Sequence, residues 1–242
     1  MMKINLLMKK EEIDHEKIDQ TKIAIVLDIL LATTTITAAL SEGAECVIPV
    51  LDEQEARAEG KKHDEKDICL TGEYAGMVID GFNNPAPSLL LDHVRGKKVI
   101  LSTTNGTVAI RNVADAKKTY IASLLNGQAV AEEIVKQYNG ETILVVCSGS
   151  SGQFCLEDYY GAGYLINKLI QLYGEGKIDL TDSARSAALF YERFSEDSER
   201  ILGESKVGQM LNHFGLEADV KYASQKGKIN LIPRLIGKKV VS

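Results

Sequence analysis

Thr142-Ile143-Leu144-Val145-Val146-Cys147-Ser148-Gly149-Ser150-Ser151-Gly152-Gln153-Phe154-Cys155-Leu156-Glu157-Asp158 is the stretch that decides the fold. It opens with an unbroken apolar run rich in β-branched side chains. Strands buried on both faces read this way, and such strands belong to parallel sheets. The run passes through a Ser/Gly turn into a helical pattern over 156–173. Similar runs occupy 22–28, 46–50, 67–70, 98–102 and 119–122. Helical patterns lie between them at 33–42, 52–62, 89–94, 107–114 and 128–138. Strand-helix repetition predicts an α/β protein with a mostly parallel sheet and helices on both faces.

Beyond Gly176 the pattern becomes mainly helical (183–194, 206–214), with short extended pieces expected at 219–223 and 229–232. No Gly/Ser- or Pro-rich linker precedes this part. Residues 177–242 are therefore expected to form a C-terminal helical cap on a single 1–242 domain.

Composition narrows the function classes. With 45% hydrophobic and 26% charged residues, the 242-residue chain is neither collagen-like, coiled-coil nor disordered. A formal net charge of -6 gives no global attraction to nucleic acid or an anionic membrane. No apolar run approaches the roughly 20 residues that span a bilayer. No signal-peptide pattern is recognisable, so a cytoplasmic protein is expected. Homo-oligomerisation is left open. Cys46, Cys69, Cys147 and Cys155 form no CxxC pair and read as small buried hydrophobes. His15, His63, His93 and His213 all lie outside the strand-end loops, which argues against histidine acid-base chemistry.

Ligands of open parallel sheets sit beyond the carboxyl ends of the strands. Four strand ends collect polar residues here: Asp28 with Thr33, Thr34 and Thr35; Gly72-Glu73-Tyr74; Thr103-Thr104-Asn105-Gly106-Thr107; and Ser148-Gly149-Ser150-Ser151-Gly152 ahead of Glu157 and Asp158. The hydroxyl- and Gly-rich turns suit an oxyanion, because helix N-termini present unsatisfied N–H groups and glycine allows close backbone approach. The competing reading is that Thr33, Thr107 and Ser151 merely cap helices. Asp28, Glu73 and Glu157 or Asp158 could form an all-oxygen Mg²⁺ site completed by water and substrate phosphate. Dipole complementarity alone would explain Glu157 and Asp158, and Asp28 could instead be a cap. Cys147 precedes a loop with no Arg, so a nucleophilic thiolate is not expected.

Leu27-Asp28-Ile29-Leu30-Leu31-Ala32-Thr33-Thr34-Thr35-Ile36, Gly72-Glu73, Gly81-Phe82, Thr103-Thr104-Asn105-Gly106-Thr107 and Cys147-Ser148-Gly149 to Leu156-Glu157-Asp158 together resemble the 2-phosphosulfolactate phosphatase family. The order and spacing match along nearly the whole chain. The resemblance implies an α/β sandwich with its site at one sheet edge. It implies an Mg²⁺-dependent phosphatase that releases phosphate and sulfolactate from 2-phosphosulfolactate, within coenzyme M or sulfolactate metabolism. Asp28, Glu73 and Asp158 are then the expected catalytic residues, with Asp28 either metal ligand or nucleophile/base. Asp28, Glu73, Glu157 and Asp158 are the expected Mg²⁺ ligands. The phosphate ester would be held by Thr33, Thr34, Thr103, Thr104, Asn105, Gly106, Thr107, Ser148, Gly149 and Gly152. Leu31, Tyr74 and Val108 stand where the family pattern carries arginine, and Arg111, Arg185 and Arg234 remain as cations for an anionic ligand. A catalytically silent relative that binds an organic acid or phosphate ester is the alternative reading.

Overall fold

Eleven strands form one sheet in the order β5-β4-β6-β3-β11-β10-β7-β2-β8-β1-β9. The computed structural model describes residues 1–242. The strands are β1 (Met2–Leu7), β2 (Lys22–Leu27), β3 (Cys46–Val50), β4 (Ile68–Tyr74), β5 (Met77–Val78), β6 (Lys98–Ser102), β7 (Lys118–Ala122), β8 (Thr142–Cys147), β9 (Ile178–Leu180), β10 (Arg234–Ile236) and β11 (Lys239–Val241). The helices are α1 (Ala32–Ser41), α2 (Glu53–Gly60), α3 (Pro87–Leu90), α4 (Gly106–Asn112), α5 (Gly127–Gln137), α6 (Leu156–Tyr173), α7 (Asp182–Arg193), α8 (Ser198–Glu204), α9 (Lys206–His213) and α10 (Glu217–Ala223).

Two blocks of parallel strands make up most of the sheet. One is β7-β2-β8-β1-β9 and the other β4-β6-β3. The antiparallel β10–β11 hairpin joins them through one residue pair on each side, Arg234 with Tyr120 and Val240 with Val47. The expected α/β architecture is therefore present, with an antiparallel seam in the sheet.

Burial on both faces is visible residue by residue. Ile23, Ile25 and Leu27 of β2 belong to one apolar cluster together with α5, α6 and α7. Ala24 and Val26, the alternate residues of the same strand, belong to a second cluster. That second cluster also takes Val47, Val99 and Leu101 from the other block, with Ile36 and Ala39 of α1 and Ala109 and Ile110 of α4. Helices α1 and α4 thus pack against both blocks. A third cluster joins Ala56 of α2 to Ile48 and Ile100.

Register then sets the rim. Leu27 pairs with Ala122 and Cys147, and Leu7 with Val146. In the other block Ser102 pairs with Gly72 and Val50. Loops after paired strand ends of one block must emerge together. Helices α1 and α4 bring the two sets of loops into contact: a Cβ built on Gly106 would lie 2.4 Å from Ala32 Cβ and 2.5 Å from Asp28 Oδ2.

Two expectations change. Residues 219–223 are helical rather than extended, forming most of α10. Residues 229–232 join no strand, and the C-terminal strands are instead β10 and β11. The segment after Gly176 is thus a helical cap that also closes the sheet. The N-terminal run is β1, a buried neighbour of β8. No helix is long and apolar enough to cross a membrane.

Candidate active site

Asp28 ends the run begun by β2, and the chain turns there into α1. Its backbone N–H donates to Thr33 Oγ1 (3.0 Å), and Thr33 Oγ1 donates back to the Asp28 carbonyl (2.9 Å). Thr34 Oγ1 donates to the Ile29 carbonyl (2.9 Å). This double hydroxyl clasp fixes the turn and presents the Asp28 carboxylate. Asp28 Oδ1 accepts from the Ala32 N–H (3.2 Å), whereas Oδ2 accepts from no donor. The cap reading of Asp28 is therefore met by one oxygen only.

Asp158, in the first turn of α6, reaches across both strand ends of this block. Its Oδ1 accepts from Ile29 N–H (2.8 Å) and its Oδ2 from Gly149 N–H (3.0 Å). Glu73 does the same in the other block. Its Oε1 accepts from Thr104 N–H (2.7 Å), and its Oε2 from Gly76 N–H (2.8 Å) and Thr104 Oγ1 (3.1 Å). Glu157 differs: its Oε2 is buried without a hydrogen-bond partner.

All four carboxylates line one cavity of about 590 Å³, together with Thr103, Thr104, Asn105, Gly149, Ser150 and Ser151. Burial pushes the Asp28 carboxyl up to about 7, with the charges of Glu73 and Glu157 adding to the effect. Burial also raises Glu157. It raises Asp158 well above the usual carboxylate range, helped by Asp28 and Glu157. Mutually repelling, desolvated carboxylates are costly unless a cation or protons compensate them.

No three carboxylate, histidine or cysteine side chains converge into a ready-made coordination shell. Mg²⁺ does not require one, since it commonly takes one or two carboxylates and fills the rest with water and phosphate oxygens. Asp28 and Glu157 fit that requirement, each having an oxygen that accepts from no donor. Glu73 and Asp158 have both oxygens hydrogen-bonded to backbone donors, and each ties neighbouring loops together.

Several expected phosphate ligands face elsewhere. Thr33 and Thr34 spend their hydroxyls on the Asp28 turn and are fully buried. Thr107 Oγ1 donates to the Thr103 carbonyl (3.0 Å) and accepts from Thr103 N–H (3.0 Å), a second clasp of the same kind. Ser148 Oγ is buried without a partner, and Gly106 has no room for a side chain beside Asp28 and Ala32, which leaves only its backbone N–H to offer. Gly152 accepts Lys9 Nζ at its carbonyl (2.9 Å) and does not line the cavity. Thr33, Thr107 and Ser151 are not helix caps either. The cap positions are Leu31, Asn105 and Cys155, none of which offers a side-chain cap. The N–H groups of Asn105 and Gly106 consequently donate to nothing within the protein.

The cations also differ from expectation. Arg111 is tied to Glu55 (2.9 Å), and neither Arg185 nor Arg234 lines the cavity. Lys206 of α9 does line it. Lys10 Nζ donates to Asn105 Oδ1 (2.8 Å), which leaves the Asn105 amide nitrogen free to donate. Sequence reading missed Lys10 because β1 was not recognised as a strand. As a strand, its carboxyl end places Met8-Lys9-Lys10 at the same rim.

Cys147 is fully buried inside the core, and burial raises its thiol well above its ordinary value. Cys147→Ser is expected to keep most of the activity of the folded enzyme. Loss of activity in a well-folded variant, with a trappable phosphocysteine, would move the chemistry to this thiol. All four cysteines are free and buried, as their spacing predicted.

Comparison with known proteins identifies the family. The family described as 2-phosphosulpholactate phosphatase matches residues 7–238. A "Probable 2-phosphosulfolactate phosphatase" of Clostridium perfringens (strain SM101 / Type A) is 40% identical over 96% of this chain and 92% of its own. Proteins of the same description from Clostridium acetobutylicum and Caldicellulosiruptor saccharolyticus are 37% and 35% identical. They cover 96% and 86% of this chain, and 97% and 87% of their own lengths. With a match running from β1 into the C-terminal hairpin, the chain belongs to the 2-phosphosulfolactate phosphatase family.

Proposed function

We propose that the protein is an Mg²⁺-dependent phosphoric monoester hydrolase acting on 2-phosphosulfolactate or a related phosphorylated hydroxy acid. The observation that supports this most is the set of four carboxylates around one cavity, beside strand-end loops with free amide donors. Family membership supplies the reaction class.

Asp28 and Glu157 would hold the cation, which would neutralise charge on the phosphoryl oxygens as the ester bond breaks. The chain's own residues do the rest. Asn105, oriented by Lys10, offers its amide to the phosphoryl group, and the N–H groups of Asn105 and Gly106 add two further donors. Such pre-aimed donors stabilise developing negative charge without reorganising. Glu73 holds the loop that carries these donors, and Asp158 braces the Asp28 turn and the Gly149 loop beside it. The Asp28 carboxylate would be favoured over its protonated form by a cation held there.

Phosphate release from a panel of phosphorylated hydroxy acids, with and without Mg²⁺, tests this reading. Cation-dependent release from at least one of them is expected. Undiminished turnover after exhaustive chelation would remove the metal from the account. The absence of arginine from the cavity lining favours one second reading, a silent relative that only binds its ligand. A single-turnover measurement with excess enzyme separates the two.

A further inference from the structure

Besides the carboxylates, the same cavity has an apolar lining. Its roof is built by α9 with its following turn and by the β4–β5 hairpin. Met77, Val78, Leu89, Val207, Met210 and Phe214 face it from those segments and from α3. The hairpin turns through Ala75 (φ 51°) and Gly76 (φ 82°), and a Cβ on Gly76 would come within 3.2 Å of Met210 Sδ. Hairpin and α9 therefore touch and close the roof. At its mouth Met77, Leu89 and Phe214 are each more than half exposed. Apolar side chains gathered around a cavity mouth leave unfavourable water contacts until something covers them.

The charge balance of the lining points the same way. Four carboxylates face the space, and Lys206 is the one cationic side chain among the lining residues. One divalent cation and one phosphate group roughly compensate each other there. A further permanent anion, such as a sulfonate, would lie against apolar side chains with no guanidinium, and with only the exposed Lys206, outnumbered by four carboxylates, to pair it. A charge desolvated without a partner is rejected, and an apolar group in the same place is favoured. A cavity of about 590 Å³ also has room beyond a three-carbon backbone.

We propose that, among phosphorylated hydroxy acids, this chain prefers esters whose remaining arm is apolar over the sulfonated one. The preference rests on the phosphatase reading above. The phosphate would sit at Asn105 and Gly106, and the apolar arm under Met210 and Val207.

The test compares kcat/KM, with Mg²⁺ present, for the phosphate esters of 2-hydroxy-4-methylpentanoate, lactate and sulfolactate. The alkyl ester is expected to exceed the sulfonated one by roughly tenfold or more, with lactate between them. Met210→Lys is expected to lower the alkyl-to-sulfonated ratio by a similar factor. Equal or better use of the sulfonated ester by the wild-type enzyme would overturn the proposal while leaving the phosphatase reading intact. If none of the esters is hydrolysed, the phosphatase reading fails, and calorimetric binding of the same three esters decides this one. Tightest binding of the alkyl ester supports it, and any other order, or no binding, overturns it.

Discussion

Asp28→Asn is expected to reduce turnover by roughly a thousandfold or more, the order lost when a group that stabilises transition-state charge is removed. The same variant is expected to fold at least as well as the wild type. Asn keeps a carbonyl oxygen for the Ala32 N–H, the one donor that the Asp28 carboxylate accepts from. It also removes a buried carboxylate that Glu73 and Glu157 repel. Thermal unfolding of the metal-free proteins at pH 8 should therefore give an equal or higher Tm for the variant, while phosphate release collapses. A near wild-type rate would make Asp28 only a cap for α1.

Asp158→Ala should behave in the opposite way on stability. Asp158 accepts the N–H groups of Ile29 and Gly149, both buried where two strand ends meet. Truncation leaves both donors unpaired, at about 1–3 kcal/mol each. Relief of repulsion from Asp28 and Glu157 offsets part of this. The net loss should still lower Tm by roughly 5 °C or more for a chain of this size. Activity should fall as well, because the Asp28 turn and the Gly149 loop lose their common brace. An unchanged Tm would show that the two loops are held without Asp158.

Much of this was legible in the chain, for identifiable reasons. Strands β2 and β8 are continuous apolar runs because both of their faces are covered, and such runs are hard to read otherwise. The rule that ligands gather at strand ends then picks out Asp28, Glu73, Thr103–Asn105 and Asp158. Strand β1 was missed because its burial alternates and Lys3 and Asn5 interrupt the run. The β10–β11 hairpin has only three residues in each strand, too few to show a period. Residues 219–223 contain alternating Val220 and Tyr222, which mimics a strand; packing on α9 makes them a helix.

Within the site, residue type was readable but side-chain direction was not. Thr33 and Thr107 look like phosphate ligands, yet each turns back on the carbonyl four or five residues earlier. Only the turn geometry decides between those uses. Lys206, Val207 and Met210 reach the cavity through the packing of α9 over the rim, which no local pattern announces.

Thermal unfolding against pH reports whether these carboxylates are held together to receive a cation. Asp28, Glu157 and Asp158 all have raised values in the folded chain. The folded state therefore binds more protons than the unfolded state between the ordinary carboxylate range and about pH 7. Their contribution is fully present below that range and is lost as pH rises through it. The metal-free protein should lose several degrees of Tm between pH 6 and pH 8. Millimolar Mg²⁺ should restore more of that loss at pH 8 than it adds at pH 6, and Asp28→Asn should weaken both effects. A Tm that rises toward pH 8 in the metal-free protein, with no response to Mg²⁺ at either pH, would contradict the account.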